Sequence, residues 1–201
     1  MADSEQDLDG YVIEPIPLDQ YAPMHDQDLT RFARIFPRRP GPKPRTTDHE
    51  PHQQIDQHAD PALWDELHRR CFSLPGVAEE DSKISVPGAR ALVLDETRAR
   101  GAEEAFIIER EFAHIHPRPD GSTHLKLPLE LTVLAIGAGW AEPHNVVWLG
   151  FAPANTVMLY APRTPAELDT IVSLVEESYR FACGEPQRFV IKPQLVSSAD
   201  D

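Results

Sequence analysis

The feature that most constrains the fold is a short turn between two stretches that read as β-strands. Pro119-Asp120-Gly121 has the composition of a three-residue hairpin loop, because proline fixes φ for a type I turn and glycine takes the left-handed position that follows. With this loop, Arg118 pairs with Ser122 and His116 lies opposite His124, with Cβ atoms roughly 5 Å apart. A two-residue Asp-Gly loop would shift the register by one residue and turn His124 to the other face. We predict the longer loop.

The predicted hairpin gathers histidines on one face of a sheet. His114 and His116 are two residues apart, so they project from the same side of an extended strand. The predicted histidine face consists of Phe112, His114, His116, His124 and Lys126. The opposite, aliphatic face consists of Ala113, Ile115, Leu125 and Leu127 and is the expected core side. His144 is a fourth candidate if the chain returns to the histidine face.

Three roles are open for these histidines. Imidazole changes charge near neutral pH, so a cluster can accept, hold or pass a proton. Unprotonated imidazole nitrogens also bind metal ions, and His114, His116 and His124 would be the ligands, although their spacing matches no zinc motif. In the third interpretation the histidines only satisfy backbone groups at strand ends.

Other residues near these strands also have alternative interpretations. We expect Glu111 on the face opposite His114, paired with Arg110 or Arg90. Trp140 is typical of a core, but its glycine-rich approach also suits a cleft edge. Arg163 is either a solvated charge or a group that binds an enolate or carboxylate. The chain has no glycine-rich phosphate loop, nucleophile elbow or CxxC pair, which argues against nucleotide kinases, Rossmann dehydrogenases, serine hydrolases and zinc fingers.

Length and charge bound the class of protein. The chain has 201 residues, enough for one domain with a core, and a formal charge of −14 from 33 acidic and 19 basic residues. This charge repels phosphate and anionic lipid, so we expect neither nucleic acid nor a membrane as partner. No apolar run approaches the roughly 20 residues of a membrane span, and the acidic start of the chain does not resemble a signal peptide. We expect a cytoplasmic protein in which Cys71 and Cys183 are buried free thiols.

The composition divides the chain into three parts. Residues 1–59 are rich in Pro, Arg and Asp and are predicted to form a partly disordered arm with one helix near 27–36. The arm's arginines could dock on the acidic body or on a second subunit in a homo-oligomer; they are Arg31, Arg34, Arg38, Arg39 and Arg45. Residues 60–184 are predicted to form the folded domain, and residues 185–201 a tail.

The predicted domain is α+β, with a mainly antiparallel sheet flanked by helices. Asp60-Pro61 and Thr164-Pro165 have the composition of helix N-termini, and Gly139 and Gly184 that of helix ends. Helices are predicted from residue 61 to about 71, over 129–138, and from 165 to about 182. Strands are predicted over 89–94, 105–108 and 156–160, besides the hairpin.

Several motifs together resemble the fungal luciferase family, over roughly residues 80–183. They are the segments 110–116, 123–127, 139–140 with His144, 159–163 and 175–178, in the same order and with similar spacing. We expect the chain to differ from the family in having no N-terminal membrane anchor. It also differs in the segment Asn145-Val-Val-Trp148, where the family has a loop rich in Pro and Leu. A weaker resemblance, to small YjbR-like α+β domains, concerns the fold.

The resemblance implies an oxygen-using enzyme. Fungal luciferases oxidise a 3-hydroxylated styryl-pyrone with molecular oxygen, releasing carbon dioxide and light. The positions matching the family's histidines are His114, His116, His124 and His144. Supporting positions are Arg110, Glu111, Trp140, Tyr160 and Arg163, and the residues expected to cover a flat substrate are Phe112, Trp140 and Trp148.

Two hypotheses follow from the residues and the resemblance. In the first, the protein is a luciferase-like, oxygenase-like enzyme for an enolisable aromatic or pyrone-type small molecule, with molecular oxygen as co-substrate and the histidines as acid–base groups or as metal ligands. Arg163 or a protonated histidine would stabilise the negative charge that develops. In the second, the protein is a non-catalytic small-molecule-binding or interaction module of the same fold. Membership of the family does not by itself imply light emission.

Overall fold

Six strands form one antiparallel sheet in the computed structural model, which describes residues 37–186. The strands are β1 Val77–Asp81, β2 Arg90–Leu94, β3 Glu111–Ile115, β4 Thr123–Lys126, β5 Ala141–Pro143 and β6 Thr156–Leu159. Their order across the sheet is β1-β2-β3-β4-β6-β5, and every neighbouring pair is antiparallel. The predicted α+β class with a mainly antiparallel sheet is confirmed.

The helices of the described residues are α1 Pro61–Phe72, α2 Leu129–Gly137, α3 Asn145–Trp148 and α4 Pro165–Cys183. The predicted helix starts are confirmed: the Asp60 carboxylate accepts a hydrogen bond from Leu63 N, and the Thr164 hydroxyl accepts one from Glu167 N. Gly184 follows α4 with φ +67°, a conformation that favours glycine. No helix in the described part of the chain is long and apolar enough to cross a membrane.

The core lies between one face of the sheet and the helices α1 and α4. The strands contribute aliphatic side chains at alternate positions, such as Ile115 and Leu125, and the helices contribute apolar residues at helical spacing. Cys71 and Cys183 are buried free thiols, as predicted, and burial raises the pKa of Cys71 to about 12. The histidines lie on the opposite face of the sheet.

Some elements differ from the prediction. Residues 105–108 do not form a strand: Glu103–Ala105 is a 3₁₀ turn, and Ile108 makes only an isolated bridge to Glu111. Strands β1 and β5 were not predicted, because β1 is mostly exposed and charged and β5 is very short. The helix predicted near 27–36 lies outside the described residues.

The N-terminal segment, residues 37–59 of the predicted arm, lies against the domain. Arg39 N donates to Ala138 O at 2.9 Å, and Trp140 Nε1 donates to Pro37 O at 2.7 Å. The guanidinium of Arg39 is buried, with Nη2 3.8 Å from Glu167 Oε2. This part of the predicted arm therefore covers the end of the sheet formed by β5 and β6.

Candidate functional site

The hairpin has a different register from the predicted one. His124 pairs with His114, not with His116, and His116 N donates to Ser122 O at 2.9 Å. The loop comprises residues 117–121 because the Asp120 side chain turns inward: Oδ2 lies 2.6 Å from His116 Nδ1 and Oδ1 accepts a hydrogen bond from Ser122 N. The shift is two residues, an even number, so all three histidines still project from one face.

A β-bulge exchanges the predicted positions of Glu111 and Phe112. The pairing of β2 and β3 passes from Leu92–Ala113 to Val93–Glu111, which leaves Phe112 as the extra residue. Phe112 is buried in the core, with its ring centroid 6.1 Å from that of Tyr179. Glu111 lies on the histidine face and not on the opposite one, so the expected pairing with Arg110 or Arg90 is wrong. Its Oε1 lies 2.7 Å from His114 Nδ1.

Four imidazoles meet on this face, and we call His114, His116, His124 and His144 the histidine cluster. The ring centroid of His124 lies 5.0 Å from that of His114, 4.3 Å from that of His116 and 4.5 Å from that of His144. All four side chains are buried or nearly so. His144 reaches the cluster as the N-cap of α3, where its Nδ1 accepts a hydrogen bond from Val146 N.

A fifth histidine was missed by the sequence analysis. His52 lies in the N-terminal segment, with its ring centroid 5.0 Å from that of His144 and 5.7 Å from that of His124. Its Nε2 lies 2.8 Å from Glu142 Oε1, and its Nδ1 accepts a hydrogen bond from Asn145 N. No local pattern could have found it, because Glu142 is 90 positions away in the chain.

The hydrogen bonds fix which nitrogens face inward. Neutral His114 and His116 donate their Nδ1 protons to the carboxylates of Glu111 and Asp120, so each Nε2 carries a lone pair. His116 Nε2 lies 2.9 Å from the Ser85 hydroxyl, which can donate to it. His114 Nε2 and His124 Nε2 are buried without a hydrogen-bond partner among residues 37–186.

Burial keeps most of the cluster uncharged at neutral pH. It lowers the pKa of His114, although the hydrogen bond to Glu111 opposes this effect. Burial, together with the neighbouring histidines, lowers the pKa of His124 well below its ordinary value and that of His144 to about 3. Each of these neutral imidazoles therefore has one unprotonated nitrogen near pH 7.

The cluster forms the floor of a cavity of about 930 Å³, within the size range of small-molecule sites. Its walls are largely apolar, with side chains that include Ile84, Val86, Phe106, Ile107, Val146 and Phe151. The side chains of Ile84 and Phe151 are also among the most exposed large apolar groups of the described residues. Glu50, Glu103 and Glu104 add carboxylates to the lining.

Lys126 is the basic residue of the cavity lining. Its buried Nζ donates to Thr156 Oγ1 at 2.6 Å, and burial lowers its pKa to about 8. Because a hydroxyl is the only partner of this ammonium group within residues 37–186, the group has capacity for an anionic oxygen. Lys126 lies on the face predicted for it, although it is not among the predicted site residues.

Three predicted substrate-binding residues lie away from the cavity lining. Trp140 is buried in the core, and Tyr160 OH donates to Glu142 Oε2 at 3.2 Å. Arg163 binds the Glu167 carboxylate and donates to Gln57 Oε1 at 2.9 Å, so it fastens the N-terminal segment to α4.

The remaining predicted binding residues also lie outside the lining. Arg110 donates to the backbone oxygen of Leu94, and Trp148 lies half-exposed on α3. The β-bulge places Phe112 in the core and Glu111 behind His114. Among the predicted residues, the structure thus brings the four histidines to the cavity, and Glu111 joins them through His114.

Comparison with known proteins agrees with the resemblance seen in the motifs. The family model of the luciferase domain matches residues 109–178, which contain the whole histidine cluster. Residues 109–178 are therefore similar to a luciferase domain. His52 lies outside the matched residues, although the fold brings it to the domain's histidines.

The curated proteins to which this chain is similar include fungal luciferases. It is 28% identical over 176 residues to a luciferase of Armillaria gallica, covering 80% of this chain and 66% of that protein. It is 27% identical to a luciferase of Armillaria ostoyae with the same coverage, and 28% identical to one of Neonothopanus nambi over 42% of this chain and 32% of that protein. The chain thus spans slightly less than two thirds of the Armillaria proteins. The comparison with solved structures gives no significant match.

Proposed function

We propose that this protein binds an enolisable aromatic or pyrone-type small molecule in its cavity and oxidises it with molecular oxygen at the histidine cluster. The observation that carries the proposal is that Nε2 of His114 and of His124, at the floor of a cavity of about 930 Å³ with largely apolar walls, has no hydrogen-bond partner among the described residues. The luciferase names of its fungal relatives support oxidation as the reaction class.

The first step is loss of the enol proton at the cluster. His114 Nε2 is suited to accept it, because Glu111 holds the ring with its Nδ1 proton directed away from the cavity. A metal ion held by the same nitrogens would have the equivalent effect of lowering the pKa of a bound enol. Both roles require a lone pair, and the hydrogen bonds of the cluster leave one on Nε2 of His114 and of His116.

The second step is reaction of the resulting enolate with oxygen. The enolate carbon gives two electrons to dioxygen as a carbon–oxygen bond forms, and dioxygen is reduced to the level of a peroxide. No external reductant is needed for this balance. Lys126 Nζ is placed to stabilise the negative oxygen, a role that we had expected of Arg163.

Oxygen uptake tests the proposal. We expect uptake that depends on substrate when the wild-type protein is supplied with a panel of 3-hydroxylated pyrones and related enols. His124→Phe keeps a ring of similar size and should abolish uptake, whereas His49→Ala, at an exposed site, should not change it. Tight binding of the pyrones without any oxygen uptake would refute the enzymatic proposal and favour a binding module.

A further inference from the structure

We infer that His114, His116 and His124 form a binding site for one divalent first-row transition metal ion, coordinated through their Nε2 atoms. The inference builds on the proposed function, because it concerns the same cluster. Its test is metal binding without substrate, so a negative result would leave the oxygen-dependent reaction standing, with the histidines as proton acceptors.

The arrangement of the three rings is the first argument. Each offers one ligand atom, and these atoms all lie within 4.8 Å of one another. Bonds of about 2.0–2.1 Å to a shared ion would draw the nitrogens closer together, which side-chain rotation can provide. Imidazole nitrogens suit zinc, copper, iron, cobalt and nickel, and three protein ligands leave a coordination position open toward the cavity.

The carboxylates behind the rings are the second argument. Metal-binding histidines typically donate their other ring N–H to a carboxylate, a backbone carbonyl or water. His114 and His116 already make such bonds, to Glu111 at 2.7 Å and to Asp120 at 2.6 Å. These two buried carboxylates would also balance the charge of a divalent cation.

His124 obtains its orientation from His144. In the structure His144 Nδ1 accepts from Val146 N, which places the proton of neutral His144 on Nε2, directed to His124 Nδ1 at 3.0 Å. To bind a metal through Nε2, neutral His124 must instead donate its Nδ1 proton to His144. The proton of His144 would then lie on Nδ1, 3.6 Å from Glu50 Oε1, and the bond from Val146 would be lost.

A second trio, His52, His124 and His144, is also close enough to share an ion. It is less suited, because both ring nitrogens of His52 and of His144 have hydrogen-bond partners. In the first trio, Nε2 of His114 and of His124 has no partner among the described residues, and Nε2 of His116 has only the Ser85 hydroxyl, which can rotate away.

Titration of the full, tag-free protein with Co²⁺, followed by its visible absorption, tests the inference. We expect saturation at one ion per chain, displacement by Zn²⁺, and a metal-dependent rise in Tm. His114→Asn and His124→Phe should abolish binding, and Glu111→Gln should weaken it by about 10- to 100-fold. His52→Gln and the exposed His49→Ala should retain it.

Near-UV circular dichroism shows which variants are folded. If His114→Asn and His124→Phe do not fold, the affinity of Glu111→Gln for Co²⁺ still tests the inference. Absence of saturable Co²⁺ uptake by the wild type would overturn the inference. Unchanged affinity in a folded ligand variant and in Glu111→Gln would do the same. Loss of binding in His52→Gln with retention in His114→Asn would assign the ion to the second trio instead.

Discussion

His52 Nε2 and Glu142 Oε1 lie 2.8 Å apart, although 90 positions separate them in the chain. The contact joins the N-terminal segment to β5 beside the histidine cluster. Glu142 also binds Lys43 and accepts a hydrogen bond from Tyr160, so this one buried carboxylate connects the segment with β5 and with the residue that follows β6. The N-terminal segment is therefore part of the folded domain and lines the site through residues 50–52.

Replacing His52 should loosen this connection. We expect His52→Ala to lower the free energy of unfolding by about 1–3 kcal/mol, the usual cost of removing one hydrogen-bond partner of a buried polar group. The matched control is His49→Ala in the same segment, whose side chain is 72% exposed and whose effect should stay within about 0.5 kcal/mol. Urea denaturation measures the unfolding free energy of both variants. Equal values for His52→Ala and His49→Ala would show that the contact between His52 and Glu142 does not stabilise the fold.

Glu142 should make stability depend on pH. Its burial raises the pKa, but hydrogen bonds from His52, Lys43 and Thr46 outweigh burial and lower the pKa to about 2. The folded pKa lies below the unfolded value, so the stabilisation is present above about pH 5 and is lost as the pH falls toward 2. The difference in unfolding free energy between wild type and Glu142→Gln, on the order of 3 kcal/mol near neutral pH, should therefore shrink on acidification. A difference that stays constant from pH 7 to pH 3 would refute this explanation.

Lys126 should matter for turnover more than for folding. Lys126→Met removes the charge while keeping an apolar stem, and we expect kcat to fall by about 100-fold or more, as for loss of one group that stabilises an oxyanion. Lys83→Met is the control, because Lys83 is exposed and paired with Glu109. Steady-state oxygen uptake provides the comparison. Equal rates for wild type and Lys126→Met would exclude the proposed role.

Arg163 should act on stability and not on substrate binding. We expect Arg163→Ala to lower the free energy of unfolding by about 1–3 kcal/mol, because the buried carboxylate of Glu167 loses its main partner. Arg180→Ala, in the last turn of the same helix, removes an exposed ion pair with Glu185 and should have little effect. If Arg163→Ala instead raised KM and left the unfolding free energy unchanged, Arg163 would be a substrate-binding residue.

Local sequence signals were sufficient for much of the fold. Asp60-Pro61 and Thr164-Pro165 predicted the starts of α1 and α4, since capping depends on residues only a few positions apart. Local sequence signals failed for segments whose secondary structure depends on tertiary packing. The predicted strand at 105–108 is a turn and an irregular segment, and the short strand β5 exists only through its pairing with β6.

The candidate site shows the same division. The spacing of His114 and His116 determined that they share a face, but the register depended on Asp120 turning inward to bind His116. The face of Glu111 depended on a bulge that no pattern in β3 announces. His52 comes from a segment whose composition suggested an arm, and its place beside His144 follows from long-range contacts.

An anaerobic absorption titration tests the central claim most directly, because it isolates deprotonation of the enol at the histidine cluster from the reaction with oxygen. We predict that wild-type protein shifts the spectrum of a 3-hydroxylated pyrone to that of its enolate, that His114→Asn does not, and that admitting air bleaches only the wild-type complex. An identical enolate spectrum with folded His114→Asn, or no spectral shift with wild type for any enol tested, would contradict the account.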